Sequence, residues 1–229
     1  MIFTNMKLPN IVKIAINDSV LERVRATKFL GVLIDEKLTW MDKISSVANK
    51  ISKVIGVLYK CRNLVTKEAM ITLHNSLILP YFMYCCPVWV NTYKTKLQPL
   101  VIIQKRALRL ICNANRFCHT NGLFHATGIF KFHDIVNLST AVVMYQAYHS
   151  MMPEKLQGFF QIRNAEGGYI TRQSNKFNQK LVRTTLRTKC ISIVGLKLWN
   201  NYPTDAPVSG SIRAFKTYYK SLLLQKYSE

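Results

Sequence analysis

Apolar positions change their period along this chain, and the changes divide it. Residues 11–17 and 27–34 are β-branched runs on either side of the turn-prone Asn17-Asp18-Ser19, which predicts a hairpin or a pair of neighbouring strands. After Trp40 the period lengthens to that of a helix. Ile44, Val47, Ile51, Val54, Ile55 and Leu58 form one stripe, with Lys50, Lys53 and Lys60 opposite, and Thr39 is placed to cap its start. A second helix is expected after Thr66, running to a bend at Pro80. A third follows Thr95, with Pro99 in its first turn, where a missing N–H costs little. Residues 113–128 read as irregular apart from a helical turn at Leu123-Phe124, and 132–151 as a helix stopped by Pro153. The polar stretch 163–180, with Gly167-Gly168, reads as a loop and a subdomain boundary. Beyond it, 188–194 is expected to be extended, 196–200 a short helix and 203–210 a loop. Ser211 then caps a last helix that turns Ile212, Phe215, Tyr219 and Leu222 inward.

The pattern gives a mainly α protein in three parts: an N-terminal β-hairpin (1–38), a helical bundle (39–162) and a smaller basic C-terminal subdomain (163–229). With 229 residues, 49% of them hydrophobic, the chain has material for a sizeable core, and general disorder is excluded. Residues 69–93 hold no Asp, Glu, Lys or Arg. Their His, Asn and two prolines argue for a buried, bent helix rather than a span, so no membrane is expected; a membrane-associated helical protein is the alternative. The six cysteines follow no secretory leader, since residues 1–10 lack a continuous apolar run. Reduced thiols and an intracellular location, cytoplasmic or nuclear, are expected.

Charge changes the picture most. The chain carries 32 Lys+Arg against 11 Asp+Glu, a net charge of +21, and self-repulsion on this scale calls for a polyanionic partner. Two windows, 69–133 and 167–204, contain no acid at all. Within them Lys105, Arg106, Arg109, Arg172, Arg183, Arg187 and Lys197 are the candidate contacts to RNA or DNA phosphates. Lys105, Arg106 and Arg109 form one stripe on the third helix, opposite an apolar edge. Catalysis finds no such support. Asp35-Glu36 is the only adjacent acidic pair, and two-metal phosphoryl transfer needs converging carboxylates. Cys112, Cys118, His119, His125 and His133 are spaced unlike any compact zinc set. No phosphate loop or dinucleotide fingerprint occurs, so no catalytic residue, metal or cofactor is assigned. Trp40, Trp89 and Trp199 could stack on bases, but their apolar contexts place them in the core.

A series of short segments resembles one family. They are Lys28-Phe29-Leu30-Gly31-Val32 through Asp35 and Trp40; Pro80-Tyr81 with Tyr84 and Val88-Trp89; and Gln104-Lys105-Arg106-Ala107 with Arg109. The series continues with Thr171-Arg172, Arg183-Thr184, Gly195-Leu196-Lys197-Leu198-Trp199-Asn200 with Pro203, and Phe215-Lys216. In order and spacing they resemble the C-terminal, thumb and post-thumb part of reverse transcriptases from jockey-like non-LTR retrotransposons. The resemblance implies that Phe29, Leu30, Gly31 and Val32 form a primer-grip-like element, and that the helices after it form a thumb holding template and primer through phosphates. The fingers, most of the palm and its aromatic-x-Asp-Asp motif have no counterpart here. The expectation is a nucleic-acid-binding piece of an RNA-directed DNA polymerase, without catalysis of its own. Its rival is a non-functional remnant that binds polyanions through net charge.

Overall fold

The computed structural model describes residues 1–3, 14–163, 176–179, 181–202 and 210–227. Two sequence-local hairpins open it. β1 (Ala15–Ile16) pairs with β2 (Ser19–Val20) across Asn17 and Asp18, both at positive φ. β3 (Ala26–Phe29) pairs with β4 (Val32–Asp35) across Leu30 at φ 45° and Gly31 at φ 77°, the two-residue turn whose twist suits a hairpin. The run 27–34 is therefore both arms of one hairpin, and among the described residues it does not pair with the run before it. Leu30-Gly31 hides a turn inside apolar sequence because glycine tolerates the left-handed backbone. Residues 11–13 of the first expected strand lie outside the described residues.

Helices make the rest. α1 (Met41–Cys61) and α5 (Lys94–Ile111) pack lengthwise on the predicted stripes. α1 is entered through Trp40 at φ 64°, which itself gives no side-chain cap, and the Thr39 hydroxyl reaches only the Met41 N–H, at 3.5 Å. The Asp35 carboxylate instead gathers the N–H groups of Lys37, Thr39 and Trp40 at 3.2, 2.9 and 2.8 Å. Residues 69–93 break into α2 (Lys67–Leu77), α3 (Leu79–Met83) and α4 (Cys86–Trp89). Thr66 caps α2 as expected, accepting the Ala69 N–H, and Cys85 turns left-handed before α4. Among the described residues no helix is long and apolar enough to cross a membrane. α5 begins at Lys94, two residues earlier than predicted, which moves Pro99 into its second turn.

Residues expected to be irregular contain α6 (Asn121–Thr127), stopped by Gly128 at φ 65°. α7 (Phe132–Tyr148) and the short α8 (Glu154–Gln157) follow. The extended segment expected at 188–194 is absent: α9 (Thr185–Thr188) and α10 (Ile191–Asn200) occupy it. Burial of Ile193, Leu196 and Trp199 on one face overrides the β preference of the branched residues. α11 (Ile212–Gln225) starts on its Ser211 cap and buries Phe215, Tyr219 and Leu223, not the expected Leu222.

Two cores result, and α7 belongs to both. Phe132 and Ile135 join the core of α1–α6, whereas Leu138, Ala141, Met144, Tyr145 and Ala147 join that of α10 and α11. Two side-chain amides pin the layers. Buried Gln104 on α5 donates to the Phe130 carbonyl at 2.9 Å and accepts the Phe132 N–H at 2.8 Å, fixing the start of α7. Asn200 on α10 exchanges both bonds with the Phe177 backbone at 3.0 Å. Gly195 lets α10 approach α7, since a Cβ there would come within 2.5 Å of the Met144 sulfur.

Trp199, 6% exposed, sits among the rings of Tyr148, Phe177, Tyr202 and Phe215 at centroid distances of 5.4–6.1 Å. Truncating a buried tryptophan typically costs about 3–5 kcal/mol. Trp199→Ala should therefore lower the melting temperature by many degrees; an unchanged thermal melt would show that this ring does not anchor the second core.

Candidate nucleic-acid interface

The α1–α5 pair leaves one edge of each helix outside its seam. On α5 that edge carries Ile102, Arg106 and Arg109, and on α1 it carries Ser52, Gly56 and Tyr59, each set spaced i, i+4, i+7 along one face. Between the edges lies a groove of about 870 Å³, closed at one end by Arg62 and Arg116. Gly56 leaves its floor open, with nothing within 4 Å of where a Cβ would stand. Arg62 lies 4.4 Å from the centre of the Tyr59 ring, and the Arg109 Nε donates to the Cys118 carbonyl at 3.0 Å. Both contacts orient guanidinium groups at little entropic cost. Among the described residues no carboxylate lines the groove. It offers planar donors suited to bidentate phosphate contacts beside an apolar floor and an exposed tyrosine ring.

Of the residues singled out in the sequence, Arg106 and Arg109 meet in this groove, and neighbouring Lys105 is not part of its wall. Arg183 and Lys197 are exposed elsewhere, and Arg187 lines a separate cavity of about 210 Å³ beside Phe159 and Leu196. Arg172 lies outside the described residues. The groove adds Arg62, Tyr59 and Arg116, the last a base of the acid-free window 69–133. Arg62 follows the last turn of α1 and Arg116 sits in the loop after α5, where no periodic signal marks them.

The Phe29–Val32 turn is held to the bundle from beneath. Tyr84 donates its hydroxyl to the Leu30 carbonyl at 2.5 Å, and Lys43 Nζ donates to the Gly31 carbonyl at 3.3 Å. Lys43 is 7% exposed, and its ammonium lies 5.6 and 5.9 Å from the centres of the Tyr84 and Trp89 rings. Burial, then the nearby Lys50 charge, pull its pKa below the usual lysine range. The Trp89 indole N–H is bound by the Tyr84 carbonyl at 2.9 Å. Val32 is buried, while Phe29 and Leu30 are 63% and 75% exposed, so the apolar tip of the turn projects outward. Among the described residues no group of three or more His, Cys, Asp or Glu could hold a metal ion.

Comparison with known proteins gives two relatives. The chain is 25% identical over 125 residues, 53% of its length, to the RNA-directed DNA polymerase from mobile element jockey of Drosophila funebris. It is 23% identical over 95 residues, 40% of its length, to the probable RNA-directed DNA polymerase from transposon X-element of Drosophila melanogaster. Those stretches make up 14% and 10% of the two relatives. Over part of its length, then, the chain is related to the RNA-directed DNA polymerases of jockey-like non-LTR elements. No family profile and no solved structure matches it.

Asp35, which sets the exit from the hairpin, gives this region a pH dependence. Burial raises its pKa, but hydrogen bonds from the Thr39, Trp40 and Lys37 backbones outweigh that and hold it below the ordinary 3.8. A depressed carboxylate pKa contributes stability that is complete above the unfolded value, about 3.9, and is lost as pH falls through the folded one. Between pH 6 and 2.5 the melting temperature of Asp35→Asn should therefore fall less steeply than that of the unaltered chain, from a lower starting value. Parallel curves would show that the carboxylate is not held in this way.

Proposed function

We propose that this chain is a nucleic-acid-binding part of a jockey-like RNA-directed DNA polymerase, gripping a template–primer or element RNA by its phosphates. The observation that supports this most is the α1–α5 groove, where four arginines converge and, among the described residues, no carboxylate joins the lining. A surface of this kind binds the backbone of a duplex with little regard to sequence. The relationship to the two polymerases is consistent with it, and so is the place of the groove in helices that follow the Phe29–Val32 turn. On this reading Lys105, Arg183, Arg187 and Lys197 add to the positive field, and Arg106 and Arg109 touch phosphate.

The reading gives this stretch no catalysis of its own. Metal-assisted phosphoryl transfer needs carboxylates turned toward a shared ion. Asp35 is turned instead into its own loop, and Glu36 is paired with Arg23 at 3.3 Å. Primer extension on a poly(rA)/oligo(dT) substrate with magnesium or manganese should stay at background. Template-dependent synthesis that disappears in Asp35→Asn would overturn this assignment.

Binding of a labelled RNA–DNA hybrid, followed from 50 to 300 mM salt, tests the groove. Arg62, Arg106 and Arg116 replaced together by Gln should flatten the plot of log K against log salt by about two to three units, one contact contributing about 0.7–0.9. Arg109 is kept because it also braces the Cys118 loop. The control removes the same charge from the exposed residues Arg213, Lys216 and Lys220 on α11 and should leave the slope nearly unchanged. Equal losses in the two variants would mean that binding reports net charge, as for a remnant without a site.

A further inference from the structure

A second basic cleft lies at the other end of α5, where three separate parts of the chain meet. The loop leaving the β3–β4 hairpin contributes Lys37 and Trp40, α4 contributes Val88, the turn into α5 and its first residues contribute Tyr93 and Lys96, and α9 with its exit contributes Leu186 and Lys189. The cleft holds about 410 Å³, and among the described residues no carboxylate lines it. Asp35 binds the backbone of the same loop and is not part of the wall. Two ammonium groups share one exposed ring: Lys189 Nζ lies over Tyr93, and Lys96 Nζ lies 5.6 Å from the centre of that ring and 3.5 Å from the Thr39 carbonyl. Cations gathered around one aromatic face repel each other where no described carboxylate lines the cleft, and an anion between them relieves that repulsion. The starts of α5 and α10, at Tyr93 and Cys190, border the cleft without side-chain caps and add to the same field.

We infer that this cleft is a second nucleic-acid subsite, which takes one nucleotide of a single strand. Its phosphate lies between Lys96 and Lys189, and its base lies against Trp40 and Val88. Size decides for a single strand. A cavity of 410 Å³ admits one small-molecule-sized group and is too narrow for a base-paired duplex. Lining composition decides for a nucleotide over a bare anion. Rings and aliphatic side chains form the wall beside the lysines, the combination that stacks bases while ammonium groups follow the backbone. The inference rests on the nucleic-acid reading given above but concerns different residues, so each can fail without the other.

Trp89 and Trp199 are buried, which leaves Trp40 as the tryptophan that lines the cleft and a local reporter. Titrating the full chain with (dT)8 at low salt should quench tryptophan fluorescence, and Trp40→Phe should abolish the quench. In the Lys96→Gln/Lys189→Gln variant, (dT)8 should bind at least about tenfold more weakly, with the salt slope flattened by about 1.4, two contacts of about 0.7 on a single strand. RNA–DNA hybrid binding through the arginine groove should be nearly unchanged in that variant, and thermal melts should confirm that it is folded. The arginine triple variant should keep the Trp40 quench. Unchanged (dT)8 affinity and slope in the lysine variant would overturn the subsite while leaving the groove standing. Thymidine monophosphate quenching as strongly as (dT)8 at equal concentration would overturn the strand assignment in favour of a free nucleotide.

Discussion

Both cores of this molecule lean on α7, because that helix is too apolar to be covered from one side. Its first turns give Phe132 and Ile135 to one core, and its later turns give Leu138, Met144 and Tyr145 to the other. A helix apolar around most of its circumference must be covered on several flanks, so neither core closes without it. The polar contacts at its start reinforce this. Gln104 bonds the backbone on both sides of Lys131. Tyr227, from the far end of the chain, accepts the Lys131 N–H at 2.8 Å and donates to Asp134. The last residues thus return to the helix on which the first core is built, and the two halves share one foundation.

The shared foundation constrains where charge can go. With 11 acids against 32 bases, carboxylates are scarce, and several serve internal geometry. Asp35 organises a loop, Asp134 receives Tyr227, and Glu36 holds Arg23. Little acid remains to neutralise the clefts that helix packing creates. Both basic clefts draw on α5, with Lys96 near its start and Arg106 and Arg109 near its end. At 1.5 Å of rise per residue, Lys96 and Arg106 are separated by about 15 Å along the axis. The helix that carries the central seam of the first core therefore also fixes the spacing of the two positive surfaces.

Periodic elements were legible in the sequence, and features made by tertiary contact were not. α1 declared itself by its stripe, while α2 and α11 did so by Thr66 and Ser211, because these signals are local and repeat over several turns. The β3–β4 hairpin was hidden because its turn, Leu30-Gly31, carries no polar residue. α10 was misread because Ile191, Ile193 and Val194 prefer strands in isolation, and only the surface of α7 makes their helix worthwhile. The arginine groove was half visible. Arg106 and Arg109 share a helix edge that can be drawn from the sequence, whereas Arg62, Arg116 and Tyr59 reach it through the packing of α1 on α5. The second cleft was invisible for the same reason, since Lys37, Lys96 and Lys189 are separated by most of the chain.

The Phe29–Val32 turn shows how the bundle imposes a conformation that local sequence would resist. Leu30 at φ 45° occupies backbone space that costs a branched residue about 1–2 kcal/mol, and such strain persists only where surroundings over-determine it. Here the surroundings are specific: the Tyr84 hydroxyl and the Lys43 ammonium take successive carbonyls of the turn. Holding Lys43 out of water is itself unfavourable, as its lowered pKa records, and the Tyr84 and Trp89 rings offset part of that cost. Two unfavourable features, a left-handed leucine and a buried cation, thus serve one outcome, a rigid turn whose exposed tip is apolar. A hairpin needed only for stability would discard both, with a polar turn and an uncharged partner. Their presence together fixes the position of the turn relative to the helices.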